Sequence, residues 1–96
     1  MILLKSIIQK NKECYVCGTT YNLHSHHIYF GNPWRKLSEK YGMKVYLCWQ
    51  HHEGTYGVHG KHGHDLDMKL KKKGQEVFEE YYSELEFKDI FGKNYL

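Results

Sequence analysis

The chain has 96 residues, 41% of them hydrophobic, and a net charge of +3 with histidine counted as neutral; this length leaves room for one small core. No apolar run approaches the roughly 18 residues that cross a bilayer, and three cysteines cannot all pair within one chain, which excludes a membrane span and a closed disulfide framework. The start lacks the basic region and cleavage site of a signal peptide, so the expectation is a soluble cytoplasmic protein in which clustered cysteines bind metal.

Charge is unevenly spread. Residues 1–75 carry twelve Lys/Arg against five Asp/Glu, whereas residues 76–96 carry two against six. The first part can attract a polyanion and the last part cannot.

In chain order, Ile2, Leu3, Leu4, Ile7 and Ile8 are spaced for a short helix within residues 1–12, with a strand as the alternative. At "CYVCG", Gly18 supplies the positive φ that closes a metal knuckle after Cys17. "YNLHSHHIYF" reads as a strand with His24, His26 and His27 on it, and "KVYLC" as a second strand. Between them "GNPWRKLSEKYGM" predicts a long hairpin loop, entered at Gly31, Asn32 and Pro33 and left at Gly42. Long loops in compact domains carry function, and Trp34, Arg35 and Lys36 in this one are the candidate nucleic-acid contacts.

From His52 to Asp65, glycine recurs at 54, 57, 60 and 63, too briefly to count as a repeat. The segment is expected to be a glycine-rich loop after at most one helical turn. A helix then follows an N-cap at Asp65, with Leu66, Leu70, Val77, Phe78 and Tyr81 on its apolar face; Gly74 on that stripe marks either a close contact or a break. A final helix is predicted from the capping-box spacing of Ser83 and Glu86, with a stop at Gly92. No linker divides the chain, so residues 1–96 read as one domain with a core at about 12–60 and a helical extension at about 65–92.

Cys14-x2-Cys17 and Cys48-x2-His51 are two ligand pairs, each with the gap that turns neighbouring ligands onto one ion. Three thiolates and an imidazole suit tetrahedral Zn2+ in a closed, structural site. His52 is the alternative fourth ligand, although the two-residue gap favours His51. Seven histidines remain, all between residues 24 and 64. In a regular strand His24 and His26 share one face and His27 takes the other, so His26 and His27 serve one site only at a strand end. The zinc knuckle brings His52 next to the hairpin, where a second ion held by His26 and His52 is geometrically reasonable.

"CYVCG", "LHSHHIYFG" and "LCWQHH", in that order and spacing, resemble the HNH endonucleases with a zinc-stabilised ββα-metal core; through "LKKKGQEVFEE" and "FGKNYL" the chain also resembles small phage- and prophage-encoded proteins related to them. The resemblance implies an α+β fold: a small zinc-bound ββα-metal, treble-clef-like core with a β-hairpin and long loop, flanked by C-terminal helices. It further implies hydrolysis of phosphodiester bonds in DNA. His27 would be the general base, and His26 and His52 would hold a catalytic divalent ion (Mg2+, Mn2+, Ni2+ or Zn2+). A further ligand four residues beyond His52 would fall on Tyr56, with His59 as the nearer substitute. The position of the family's middle asparagine, which braces the loop and orients the base, is occupied by Met43.

The implied setting is the cytoplasm of a bacterial host, with DNA and phage recombination or packaging proteins as partners. The alternative is a zinc-stabilised module of phage origin that binds DNA or protein without cutting. His24, His62 and His64 read as incidental, and Lys71, Lys72 and Lys73 as a solvated helix face.

Overall fold

A computed structural model describes residues 6–96. The elements are β1 (Leu23–His27), α1 (Trp34–Tyr41), β2 (Lys44–Cys48), α2 (Trp49–His52), α3 (His64–Tyr81) and α4 (Phe87–Phe91). The architecture is a small α+β arrangement, a two-stranded antiparallel sheet with helices around it. Among the described residues no helix is long and apolar enough to cross a membrane. Of the expected first helix, Ile2, Leu3 and Leu4 lie outside the described residues; residues 6–12 form bends rather than helix, and Ile7 and Ile8 pack against the core.

The register pairs Leu23 with Cys48, His24 with Leu47, His26 with Val45 and His27 with Lys44. Directly paired residues share a face, so His24 and His26 lie on the side of the buried Val45 and Leu47. His27 and Lys44 lie on the other. The strand is shorter than its sequence suggested: one further bond, from Ile28 N–H to Met43 O (2.9 Å), follows the last strand pair, and Ile28 and Tyr29 are then buried in the core, with Tyr29 bonded to Ser38.

The segment expected to be a loop between the strands contains α1. Trp34, Leu37 and Tyr41, spaced one helical turn apart, pack against the core, and the buried Ser38 hydroxyl donates to Tyr29 O (2.8 Å) and accepts from Tyr29 N–H (3.1 Å). Gly42 at φ 73° then ends the helix, and Met43 N–H bonds Ser38 O (2.8 Å) on the way into β2.

Phe78, Phe87 and Phe91 meet Tyr29 in an aromatic core, with ring centroids 4.6 Å apart for Tyr29 and Phe91. Gly74 answers its two readings in favour of close contact: a Cβ there would sit 2.7 Å from the Tyr29 hydroxyl, which donates to Lys71 O (2.6 Å), and α3 runs on unbroken. The capping details differ from expectation. α3 begins at His64 after Gly63, which places Asp65 inside the first turn, where its charge favours the helix dipole. Ser83 makes no cap, because α4 starts only at Phe87 with Glu86 before it and no side-chain cap bond. Tyr81 is 65% exposed and Val77 half-buried, since Asp67, Leu70, Gly74, Gln75 and Phe78 form the buried face.

The glycine period proves structural. Gly57 N–H bonds Gly54 O, Gly60 N–H bonds Gly57 O and Gly63 N–H bonds Gly60 O (2.9, 2.8 and 3.2 Å), while Val58 and His59 donate back to His51 and His52 carbonyls (both 2.9 Å). This winding leaves no space for side chains: a Cβ on Gly60 would strike Gly54 O, and one on Gly63 would strike Gly57 O. Both obstacles are backbone, which cannot swing aside. Gly63→Ala is therefore expected to cost at least about 3 kcal/mol, a fall of more than about 10 °C in Tm for a domain of this size. A melt that matches the unsubstituted protein would show the winding to be dispensable.

Candidate metal centres

Cys14, Cys17, Cys48 and His51 lie together, each offering a ligand atom within 4.8 Å of the others, and can hold a metal ion such as zinc. They come from three segments: the knuckle closed by Gly18 N–H on Cys14 O (2.8 Å), the end of β2, and α2. Tetrahedral zinc, with bonds near 2.3 Å to sulfur and 2.0–2.1 Å to nitrogen, sets its ligands about 3.6–3.8 Å apart. Cys17 and Cys48 sulfurs are 3.8 Å apart, and Cys14 Sγ is 3.6 Å from His51 Nδ1; Cys48 Sγ is nearer at 3.2 Å. The grouping selects His51 over His52 as the fourth member of this set. Burial alone would push the Cys14 thiol up, but N–H donors from Cys48, Cys17 and Val16 bring it down to about 6. Cys17 moves the opposite way: a bond from Thr19 N–H lowers it, but desolvation and the neighbouring Cys14 and Cys48 outweigh this and raise it. Crowded thiols of this kind are what a bound cation relieves.

The second grouping is His26, His52 and His59, again with ligand atoms within 4.8 Å of one another. β1 carries His26 into the interior; His52 ends α2, and the backbone bond from His59 N–H to His52 O returns His59 to the same place. The ring centroids are 5.2 Å (His26 and His52), 5.3 Å (His26 and His59) and 4.8 Å (His52 and His59) apart, each pair edge to face. His26 Nε2 is buried with no hydrogen-bond partner. A buried nitrogen without a partner is costly and is normally satisfied, and a cation facing three imidazoles satisfies it, so the donor set fits an ion. Tyr56 is 71% exposed and stacks on His62, leaving His59 as the member that joins the group.

Burial, and then repulsion from His52, His59, His27 and Lys71, lowers His26 to about 3. Burial and His59 also lower His52. His26 is a base whose folded value lies below its unfolded value of about 6.5, so between those values the unfolded chain binds more protons and stability rises with pH. Its contribution is neutral above about pH 6.5 and turns unfavourable below it, at up to about 1.4 kcal/mol per pH unit. Melts between pH 4 and 7 are expected to fall less steeply for His26→Leu than for the unsubstituted protein. Parallel curves for the two would contradict this.

Two contacts were not legible in the sequence. His24, read as incidental, has its Nδ1 2.8 Å from His52 Nδ1, and the two histidines group with Glu53 as a further potential ligand set. His27 turns away from the trio: its Nε2 lies 2.8 Å from Glu39 Oε1, and Glu39 Oε2 accepts from Lys44 Nζ at 2.8 Å. These hydrogen bonds, Lys44 first and His27 second, hold the Glu39 carboxyl below its usual range. The only sequence signal for either contact was strand alternation, which put His24 with His26 and His27 opposite.

Among the proposed nucleic-acid contacts, the Trp34 indole packs against the core and Gly92, leaving Arg35 and Lys36 exposed at the start of α1. Lys72 and Lys73 are exposed as expected. Lys71 is not part of a solvated face: it pairs with the buried Asp67 (2.9 Å) and lies 4.4 Å over the Phe30 ring, whose edge meets His59. No protein-family model, curated protein or solved structure matches this chain.

Proposed function

We propose that the protein is a metal-dependent endonuclease of the HNH type that hydrolyses phosphodiester bonds in DNA, built on a structural zinc at Cys14, Cys17, Cys48 and His51. The catalytic divalent ion belongs to His26, His52 and His59, and His27 is the general base. The observation that carries this reading is the buried His26 Nε2, which has no hydrogen-bond partner, on a residue grouped with two further imidazoles, His52 and His59. A closed Cys3His set has no open position for substrate; a three-histidine set does. The order of "CYVCG", "LHSHHIYFG" and "LCWQHH" supports the same assignment.

When bound, the ion supplies positive charge to the scissile phosphate and its leaving oxygen. The residues do the rest. His26, His52 and His59 offer ring nitrogens, and the substrate phosphate is assigned to the end of β1, where it would have to reach around the strand end to His27, the last residue of the strand, on the face opposite His26. His27 takes the proton from water. Arg35 and Lys36 contact the DNA backbone, a role consistent with the basic balance of residues 1–75.

A binding module without cleavage is the second reading, favoured by Tyr21 (78% exposed) and Trp49 (54% exposed) beside the cysteine set. The two part on one assay. Zinc-loaded protein is expected to nick supercoiled plasmid when Mg2+, Mn2+, Ni2+ or Zn2+ is added and to be inert without addition. Salt-sensitive DNA binding with no nicking under any of these ions would replace the nuclease by the module.

A further inference from the structure

We infer that Glu39 is the positioning residue for His27: its carboxylate holds the imidazole in the tautomer with hydrogen on Nε2 and leaves Nδ1 as the proton acceptor. The part of this inference that concerns cleavage rests on the nuclease reading above; the tautomer does not.

Met43, where the resemblance places a bracing asparagine, is fully buried among core side chains and has no group that can fix an imidazole. The bracing contact comes from another element. α1, which fills the connection between the strands, presents Glu39 to the end of β1, and the 2.8 Å contact from His27 Nε2 to Glu39 Oε1 joins residues twelve apart in sequence. An ionised carboxylate only accepts hydrogen bonds. The hydrogen in that contact therefore belongs to Nε2, and in the neutral ring the lone pair is on Nδ1.

Three constraints keep the carboxylate in place. Its second oxygen accepts from Lys44 Nζ at 2.8 Å, and Lys44 is the residue paired with His27 across the sheet, so β1, α1 and β2 each contribute one side chain to the arrangement. Glu39 also follows Ser38, whose buried hydroxyl bonds both the N–H and the C=O of Tyr29, two residues beyond His27. The backbone on both sides of the contact is thereby tied together. Finally, the His27 and Lys44 side chains are only 15% and 14% exposed, so the two partners that pin the more open Glu39 side chain (41% exposed) are themselves sheltered from water.

The test uses full-length, zinc-loaded protein with 15N-labelled histidine. Long-range 1H–15N correlation spectra are expected to show His27 protonated at Nε2, with that proton protected from exchange. In Glu39→Ala the protection should disappear, and in Glu39→Gln, which keeps an acceptor oxygen in the same place, it should persist. A His27 protonated mainly at Nδ1, or spectra indistinguishable between the unsubstituted and Ala proteins, overturns the inference. In plasmid cleavage, Glu39→Ala is expected to lower kcat by about 10- to 100-fold with KM unchanged, and Gln to recover most of it. In a His27→Ala background, Glu39→Ala should cost nothing more, because Glu39 acts through His27; a further loss there also overturns the inference. Absence of any cleavage by the unsubstituted protein sinks the nuclease reading alone, and the spectra still decide the tautomer. Should Glu39→Ala fail to fold, Glu39→Gln and Lys44→Ala carry the comparison: the first keeps the exchange protection, and the second weakens it.

Discussion

Stripping zinc from Cys14, Cys17, Cys48 and His51 is expected to unfold the protein rather than merely silence it. The four residues join the knuckle, the end of β2 and α2, and apart from this junction the knuckle is held by few bonds, among them Tyr15 N–H to Tyr46 O and Cys14 N–H to Thr19 O (both 2.8 Å). Structural zinc contributes about 10–16 kcal/mol of apparent binding free energy, against about 5–15 kcal/mol for the total stability of an ordinary domain. With the first figure as large as the second, little native structure should survive chelation. Far-UV circular dichroism with and without a strong chelator reads this directly, and Cys14→Ser or Cys48→Ser should behave like the chelated protein. Replacement by cobalt should give the visible spectrum of a tetrahedral thiolate site. A chelated protein that keeps its spectrum and melts within a few degrees of the loaded one would show that the cysteine set is not structural.

His27→Ala is expected to lower plasmid cleavage by about 10²- to 10⁴-fold, the usual loss when a general base is removed, at unchanged zinc content. The side chain is 15% exposed at the last position of β1 and is held by its hydrogen bond to Glu39, so the expected stability cost is that of one such bond, about 1 kcal/mol. His26→Ala provides the contrast: it removes a buried member of the histidine trio and should weaken binding of the second ion as well as cleavage. Titration calorimetry with Mn2+ or Ni2+ on zinc-loaded protein separates the two variants. Cleavage that survives in His27→Ala sinks the base assignment while leaving the ion site standing.

The cysteine set was legible because its evidence is local: two pairs, each with a two-residue gap, specify a turn and a ligand geometry without reference to the rest of the chain. "KVYLC" was legible for a similar reason, as β-branched and aromatic residues between a glycine and a knuckle. α1 was not. An eight-residue helix is marginal by itself, and Gly31, Asn32 and Pro33 correctly signalled a turn at its start; what makes the rest helical is Trp34, Leu37 and Tyr41 reaching a core that the local sequence cannot display. Glu39 and His24 were missed on the same grounds, because their partners, His27 and His52, lie across a connection whose path is set by packing. The glycine spacing was noticed but judged too short to matter, and its meaning lies in backbone collisions that only the folded winding creates.

α2 is a single turn, and its last two residues face different duties: His51 belongs with the cysteines and His52 with the histidines. Their carbonyls receive the N–H groups of Val58 and His59 in succession, so the return of the glycine segment is anchored to the same turn. With zinc held by the cysteine set as proposed, the ion would fix the turn from which both His52 and His59 take their positions, so removal of zinc is expected to loosen the histidine grouping together with the cysteine set.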